Sequence, residues 1–347
     1  MRVRDNEKGA VLLTALLIMT LMSALAVAIM NDVRMTLLRS VNIEAHAQTG
    51  WHIKAAEAFA KGYLEKEYLP LSTVEKNIAL RKPIESALEI DGGLMQLKIS
   101  DGTQCLALSA MAPKVERDEF GNAIDTESEE MPLAKAMTNL LEDIGLTELD
   151  ASGLTAAIVD WQDGDQQISN GGAEDYTYLV FDPPYRTGGG PFHSVHDLRA
   201  IRGMNEDLLE LLHPFICTGD AERTGAININ SLRPEHLPLL ASILGPDEEA
   251  LAAQILQRRP PNGYSDLEAE LTAAGIDFAK VDFSFFVYEP EYLWIEVDVV
   301  MENATRTVLL EFKIDSNGLS HTYRHYGTEG RRPTLDKENK LLDQFGL

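Results

Sequence analysis

The stretch KGAVLLTALLIMTLMSALAVAIM, residues 8–30, contains 21 consecutive uncharged positions from Ala10 to Met30. At about 1.5 Å per residue that is roughly 31 Å of helix, the thickness of a bilayer's hydrocarbon core. No proline occurs before Pro70, and apolar residues continue at helical spacing through Val33, Leu37, Val41, Ala45, Ile53, Ala56, Phe59 and Tyr63. The pattern predicts one rod from Ala10 to about Lys66, partly in lipid and partly beyond it. A cleavable signal peptide is the alternative, with Ala24-Leu25-Ala26 or Ala26-Val27-Ala28 as cleavage sites. A signal peptide has no need of a helix that runs straight out of the membrane. A filament subunit does, because the same apolar rod can sit in lipid first and in a bundle of neighbouring rods afterwards.

Outward from the rod, 347 residues allow two domains or one carrying a large insertion. Apolar residues at 45% and charged residues at 24% exclude wholesale disorder. Acids outnumber bases 55 to 30, a formal charge of −25 that repels phosphate backbones. Alternating runs at Leu94–Ile99 and Gln104–Leu108 predict a hairpin turning at Asp101-Gly102. Strand patterns then lapse until Tyr292–Met301, Arg306–Ile314 and Leu319–Arg324, with Asn317-Gly318 as the last turn.

Between them, helical patterns cover 133–144, 151–161, 194–201, 205–212, 234–244, 248–258 and 265–274. The fold class is therefore α+β: a long N-terminal helix and an antiparallel sheet interrupted by a large all-α insert. The expected division is 1–9 leader, 10–68 rod, 69–112 and 289–326 the two parts of the sheet module, 113–288 the insert, and 327–347 a polar tail. Residues 116–130 read as an acidic linker within the insert.

Phe192…Gly203 and Tyr264…Gly275 share their aromatic-to-glycine spacing, and the insert resembles helix-hairpin-helix and SAM-like units. Such units bind DNA backbones through a glycine-rich hairpin whose amides face phosphate and through nearby Lys or Arg. Here Arg202, Arg258 and Arg259 sit among many acids, so nucleic acid is an unfavourable partner. An exported DNA receptor remains the rival from another class.

The densest chemistry is DWQDGDQQISNGGAED, residues 160–175. Asp163, Asp165 and Glu174 take the first, third and twelfth places of an EF-hand-like count, although Ile168 stands where that loop needs glycine. Five carboxylates in sixteen residues repel one another unless a hard cation joins them. The plain alternative is an acidic, glycine-bearing turn, and Asp220 and Glu222 are candidates for a neighbouring site. Cys105 and Cys217 either form one bridge in an oxidising compartment or remain two buried thiols. His193 and His196 flank Ser194 without a nucleophile elbow, and His321 and His325 lack a nearby carboxylate, so no catalytic residue is assigned.

Lys8-Gly9 followed by the apolar run resembles the type IV pilin-like prepilin start. That resemblance implies cleavage between Gly9 and Ala10 by prepilin peptidase and methylation of the new Ala10 amine. The family usually carries Glu five residues into the mature chain, where this sequence has Thr14. A carboxylate in hydrocarbon is costly unless paired, and a subunit without it is suited to the tip rather than the shaft.

This start, combined with DWxDxD…GAED, FHSVHDLRAIRGM and AININ, resembles the K-type minor pseudopilins of bacterial type II secretion. The resemblance implies a non-enzymatic, single-pass inner-membrane protein with its body in the periplasm. It implies assembly with the I- and J-type minor pseudopilins, the major pseudopilin and the inner-membrane secretion platform, at the tip of a pseudopilus that drives export across the outer membrane. It also implies calcium, carried here onto Asp163, Asp165 and Glu174, with Asp160 and Asp175 as further candidates. A minor type IV pilin is the remaining alternative.

Overall fold

The computed structural model describes residues 5–111, 132–219, 223–276, 278 and 281–327. The linker 116–130, Asp220, Glu222, leader residues 1–4 and the tail from residue 328 lie outside the described residues. Helix α1 spans Asp5–Tyr63, 59 residues, and closes with a π turn at Leu64–Tyr68 ahead of Pro70. Its upper half buries Ile53, Ala56, Ala60, Leu64 and Tyr68, a single face at helical spacing. Below that, the apolar side chains from Val11 to Ile43 are exposed, and the helix is long and apolar enough to cross a membrane.

The buried face of α1 rests on a five-stranded antiparallel sheet in the order β1-β2-β7-β8-β9. The strands are β1 Ile84–Ile90, β2 Gly93–Asp101, β7 Tyr292–Met301, β8 Ala304–Asp315 and β9 Gly318–Tyr326. Alternation in β7 and β8 sends Leu293, Ile295, Val297, Val299, Val308, Leu310 and Phe312 to the helix. Each large side chain buried this way stabilises the fold by roughly 1.5–3 kcal/mol. The opposite residues, Trp294, Glu296, Leu309 and Glu311, are also buried. Of these, Trp294 and Leu309 pack with Cys105, Ala107 and Cys217 at the root of the insert.

Strands β2 and β7 pair from Gly93↔Met301 to Asp101↔Leu293 although the whole insert separates them in sequence. The excursion leaves at Gly102, whose N–H donates to the Tyr292 carbonyl at 2.8 Å. Its ends thus meet on adjacent strands. The insert packs α3 (Pro132–Asp143) against α4 (Glu148–Asp160) and α7 (Leu237–Leu244), the latter buried throughout. Around them lie α5 (Asp175–Tyr178), α6 (Glu206–Leu212), α8 (Glu249–Arg258), α9 (Leu267–Ala273) and two-residue strand pairs, β3 (Leu106–Ala107) with β4 (Ile216–Cys217) and β5 (Ile227–Asn228) with β6 (Phe286–Val287). Side chains of Thr147, Asn205 and Asp266 accept backbone N–H bonds at helix starts.

Two expectations are corrected. The hairpin turns at Asp91-Gly92, where Gly92 takes φ 77°, and it joins β2 to β1, a strand whose composition (IESALEI) gives little β signal. Asp101-Gly102 is instead the exit from the sheet, and of Gln104–Leu108 only Leu106–Ala107 forms a strand, paired with β4. The insert also begins at Gly102 rather than Pro113, since Leu106, Leu108 and Met111 belong to its core. A short helix precedes the glycine of each repeat, a 3-10 turn at Val195–Ala200 before Gly203 and α9 before Gly275.

Candidate cation site in the acidic loop

Helix α4 ends at Asp160, and the next residue anchors the loop. Trp161 meets Tyr178 edge-on at 5.3 Å and stacks on Phe192 at 6.3 Å. With that wall behind it, the loop folds back so that Asp160 Oδ2 accepts from Ala173 N at 2.8 Å and Ser169 N at 3.2 Å. A Cβ on Gly172 would stand 2.0 Å from Asp160 Oδ2, so only glycine admits this approach. Arg202 braces the loop from outside, donating to the Gly172 carbonyl at 2.9 Å.

This folding brings Asp160, Asp163 and Glu174 together, one carboxylate oxygen from each lying within 4.8 Å of the others. Asp160 Oδ1, Asp163 Oδ1 and Glu174 Oε1 are buried without a hydrogen-bond partner. Buried polar atoms are rarely left so, and each costs about 1–3 kcal/mol. Burial, then repulsion from Asp165 and Asp160, lifts the Asp163 carboxyl to about 6. Burial, then Asp163, lifts Glu174 to about 7, and burial also raises Asp160. A calcium ion holds oxygens at roughly 2.3–2.6 Å, so ligands on opposite sides of it lie about 4.6–5.2 Å apart. One oxygen from each of three carboxylates within 4.8 Å matches that span.

Two of the five candidates stand outside the group of three. Asp165 is exposed and accepts from Gln167 N at 2.7 Å, a local turn that occupies one of its oxygens. Asp175 pairs with Arg186 at 3.3 Å and accepts from the Thr187 hydroxyl at 2.9 Å. Asp160, which ends a helix and falls outside the EF-hand-like count, is buried together with Glu174. At the foot of the insert Cys105 and Cys217 form a disulfide across 112 residues of sequence. Beside it lies a feature no local pattern announces: Arg223 pairs with Glu311 of β8, and both are buried.

Two family models described as type II secretion system (T2SS), protein K, match residues 105–220 and 227–284, together half of the chain. The chain is 32% identical to the type II secretion system protein K of Klebsiella pneumoniae over 78% of its own length and 80% of the relative's. It belongs to the type II secretion system protein K family. The Pectobacterium carotovorum member is 29% identical over 77% of this chain and 79% of its own. A chain of the crystallised GspK-GspI-GspJ complex from enterotoxigenic Escherichia coli superposes with a TM-score of 0.64 at 19% identity. That match covers 83% of this chain and 99% of the other, a likeness of fold. Protein K is a minor pseudopilin, a structural secretion component rather than a known enzyme.

The remaining candidates have structural roles in this protein K chain. His196 packs edge-on against His213 at 5.1 Å, the His193 carbonyl accepts from the Tyr323 hydroxyl, and His321 rests on Phe312. Arg259 donates to the carbonyls of Asn230 at 2.9 Å and Leu232 at 2.5 Å, and Arg202 is committed to the acidic loop. Two of the three arginines weighed against nucleic-acid binding are therefore engaged within the fold.

Proposed function

We propose that this protein caps the tip of the type II secretion pseudopilus, assembling there with the I- and J-type minor pseudopilins to start the filament that drives export. The observation that carries this reading is the division of the chain. An exposed apolar rod suits a bundle of like rods, while the excursion between β2 and β7 places beside the sheet a helical domain that takes up the chain from Gly102 to Glu291. A shaft subunit has neighbours above and below, whereas a tip subunit has room on one side for such a mass. Thr14 supports the reading, because its hydroxyl bonds the Val11 carbonyl at 3.0 Å and leaves no buried charge in the rod for a subunit above to neutralise.

By the same reading, prepilin peptidase cuts between Gly9 and Ala10, the Ala10 amine is methylated, the body lies in the periplasm, and the inner-membrane platform and major pseudopilin act below the tip. Asp160, Asp163 and Glu174 would hold calcium, whose charge would offset their repulsion and fix the loop after α4. The test is mass spectrometry of the chain from membranes containing prepilin peptidase, together with co-purification. N-methylated Ala10 and recovery with the I and J types are expected. A terminus at Val27 or Ile29, or recovery with pilus subunits instead, would overturn the proposal.

A further inference from the structure

Beside the emergence of α1 from beneath the sheet lies a groove of about 280 Å3. Its walls are His46, Gly50, Trp51 and Lys54 of α1, Arg306 of β8 and Tyr326 at the end of β9. Trp51 is 70% exposed and Tyr326 55%. Lys54 Nζ sits 4.8 Å from the Trp51 ring, and the Arg306 guanidinium 5.8 Å from that of Tyr326. A Cβ on Gly50 would stand 3.2 Å from Arg306 Nη1, so the guanidinium lies close against the helix. Neither Lys54 nor Arg306 has a carboxylate partner among the described residues, whereas Arg324 of β9 pairs with Glu57 of α1.

The groove is cationic on a chain of net charge −25, and Trp, Tyr and Arg are the residue types that most often dominate interface energies. Trp51 lies 21 residues beyond Met30, about 31 Å along the helix, whereas headgroups extend only about 5–8 Å past the hydrocarbon core. Lipid phosphate is out of reach. Below the groove, Val33 and Leu37 are 52% and 61% exposed. Val33 shares the azimuth of Trp51, since the 18 residues between them make about five helical turns. A helix laid along these apolar side chains is delivered to the groove.

We infer that the groove receives a carboxylate-bearing turn on the long helix of an adjacent minor pseudopilin. The inference rests on the assembly proposed above and adds the contact that fixes the height at which two rods register. It is tested with the full-length chain co-expressed with the I- and J-type minor pseudopilins and purified in detergent through a tag on this chain. Lys54→Glu with Arg306→Glu is expected to lower recovery of one partner at least about tenfold. Reversing one acid on that partner, about 20 residues above its apolar segment, is expected to restore it. Lys82→Glu, an exposed base in the loop before β1, keeps wild-type recovery, and an intact Cys105–Cys217 bridge certifies folding of each variant. Undiminished recovery, a loss that no partner reversal restores, or a second copy of this chain as the molecule captured overturns the inference. Recovery of neither partner by the wild-type chain overturns the assembly reading along with it.

Discussion

Replacing Arg223 by Met tests the tie between the insert and the sheet. Arg223 is 3% exposed and Glu311 0%. The guanidinium also donates to the Gly102 carbonyl and lies 4.3 Å over the Tyr292 ring. Removing one partner of a buried ion pair typically costs about 3–5 kcal/mol, because the other charge is left desolvated. Here Glu311 keeps the Trp294 indole N–H at 2.9 Å and the Thr322 hydroxyl at 3.1 Å. The expected loss is therefore near the lower limit, about 3 kcal/mol, a large share of an ordinary stability of about 5–15. Arg223→Met with Glu311→Gln removes both charges and is expected to recover about half of that loss. The assay is urea unfolding of the detergent-solubilised chain followed by tryptophan fluorescence, with the two variants compared in one cycle. A single-variant loss below about 1 kcal/mol, or a double variant no better than the single one, would refute the reasoning.

Calcium at a hundred times its dissociation constant should stabilise the chain by about 2.7 kcal/mol, read as a rise in melting temperature that Asp160→Asn abolishes. An equal rise in that variant would place the ion elsewhere. In chelator, Asp163 and Glu174 titrate near 6 and 7 when folded, against ordinary values of 3.8 and 4.5. The folded form then binds the extra protons between about pH 4 and 7, so stability falls as pH rises through that window and calcium removes the fall. Calorimetry at pH 5 and 7.5 reads the sign, and a flat or rising profile would contradict it. Cys105→Ser with Cys217→Ser opens a closed segment of 112 residues and should cost about 4–5 kcal/mol by the chain-entropy relation. A change below about 1 kcal/mol in urea unfolding would show that the bridge adds little.

Legibility from sequence followed the range of the interactions involved. The rod was readable because nothing but helix satisfies a backbone through 21 uncharged residues, and β7 to β9 because their alternation matches one covered face. Strand β1 was not, since Glu85, Ser86, Ala87 and Glu89 form a strand only through pairing with β2. At the acidic loop the composition pointed to the segment, but counting along the chain favoured Asp165 over Asp160, which the structure groups with Asp163 and Glu174. The difference arises where Trp161 and Gly172 let the loop fold back on the end of α4, a three-dimensional closure that spacing does not encode. Arg223 and Glu311 stand 88 positions apart, and no periodicity links them.

The meeting of the insert's two ends at Gly102 and Tyr292 has a mechanical consequence. Force applied along α1 enters the sheet through the side chains buried against β7 and β8 and can pass from strand to strand without crossing the helical domain. That domain is freight on the load path rather than a link in it. The Cys105–Cys217 bridge and the Arg223–Glu311 pair act as pins that keep the freight from swinging when the rod is pushed.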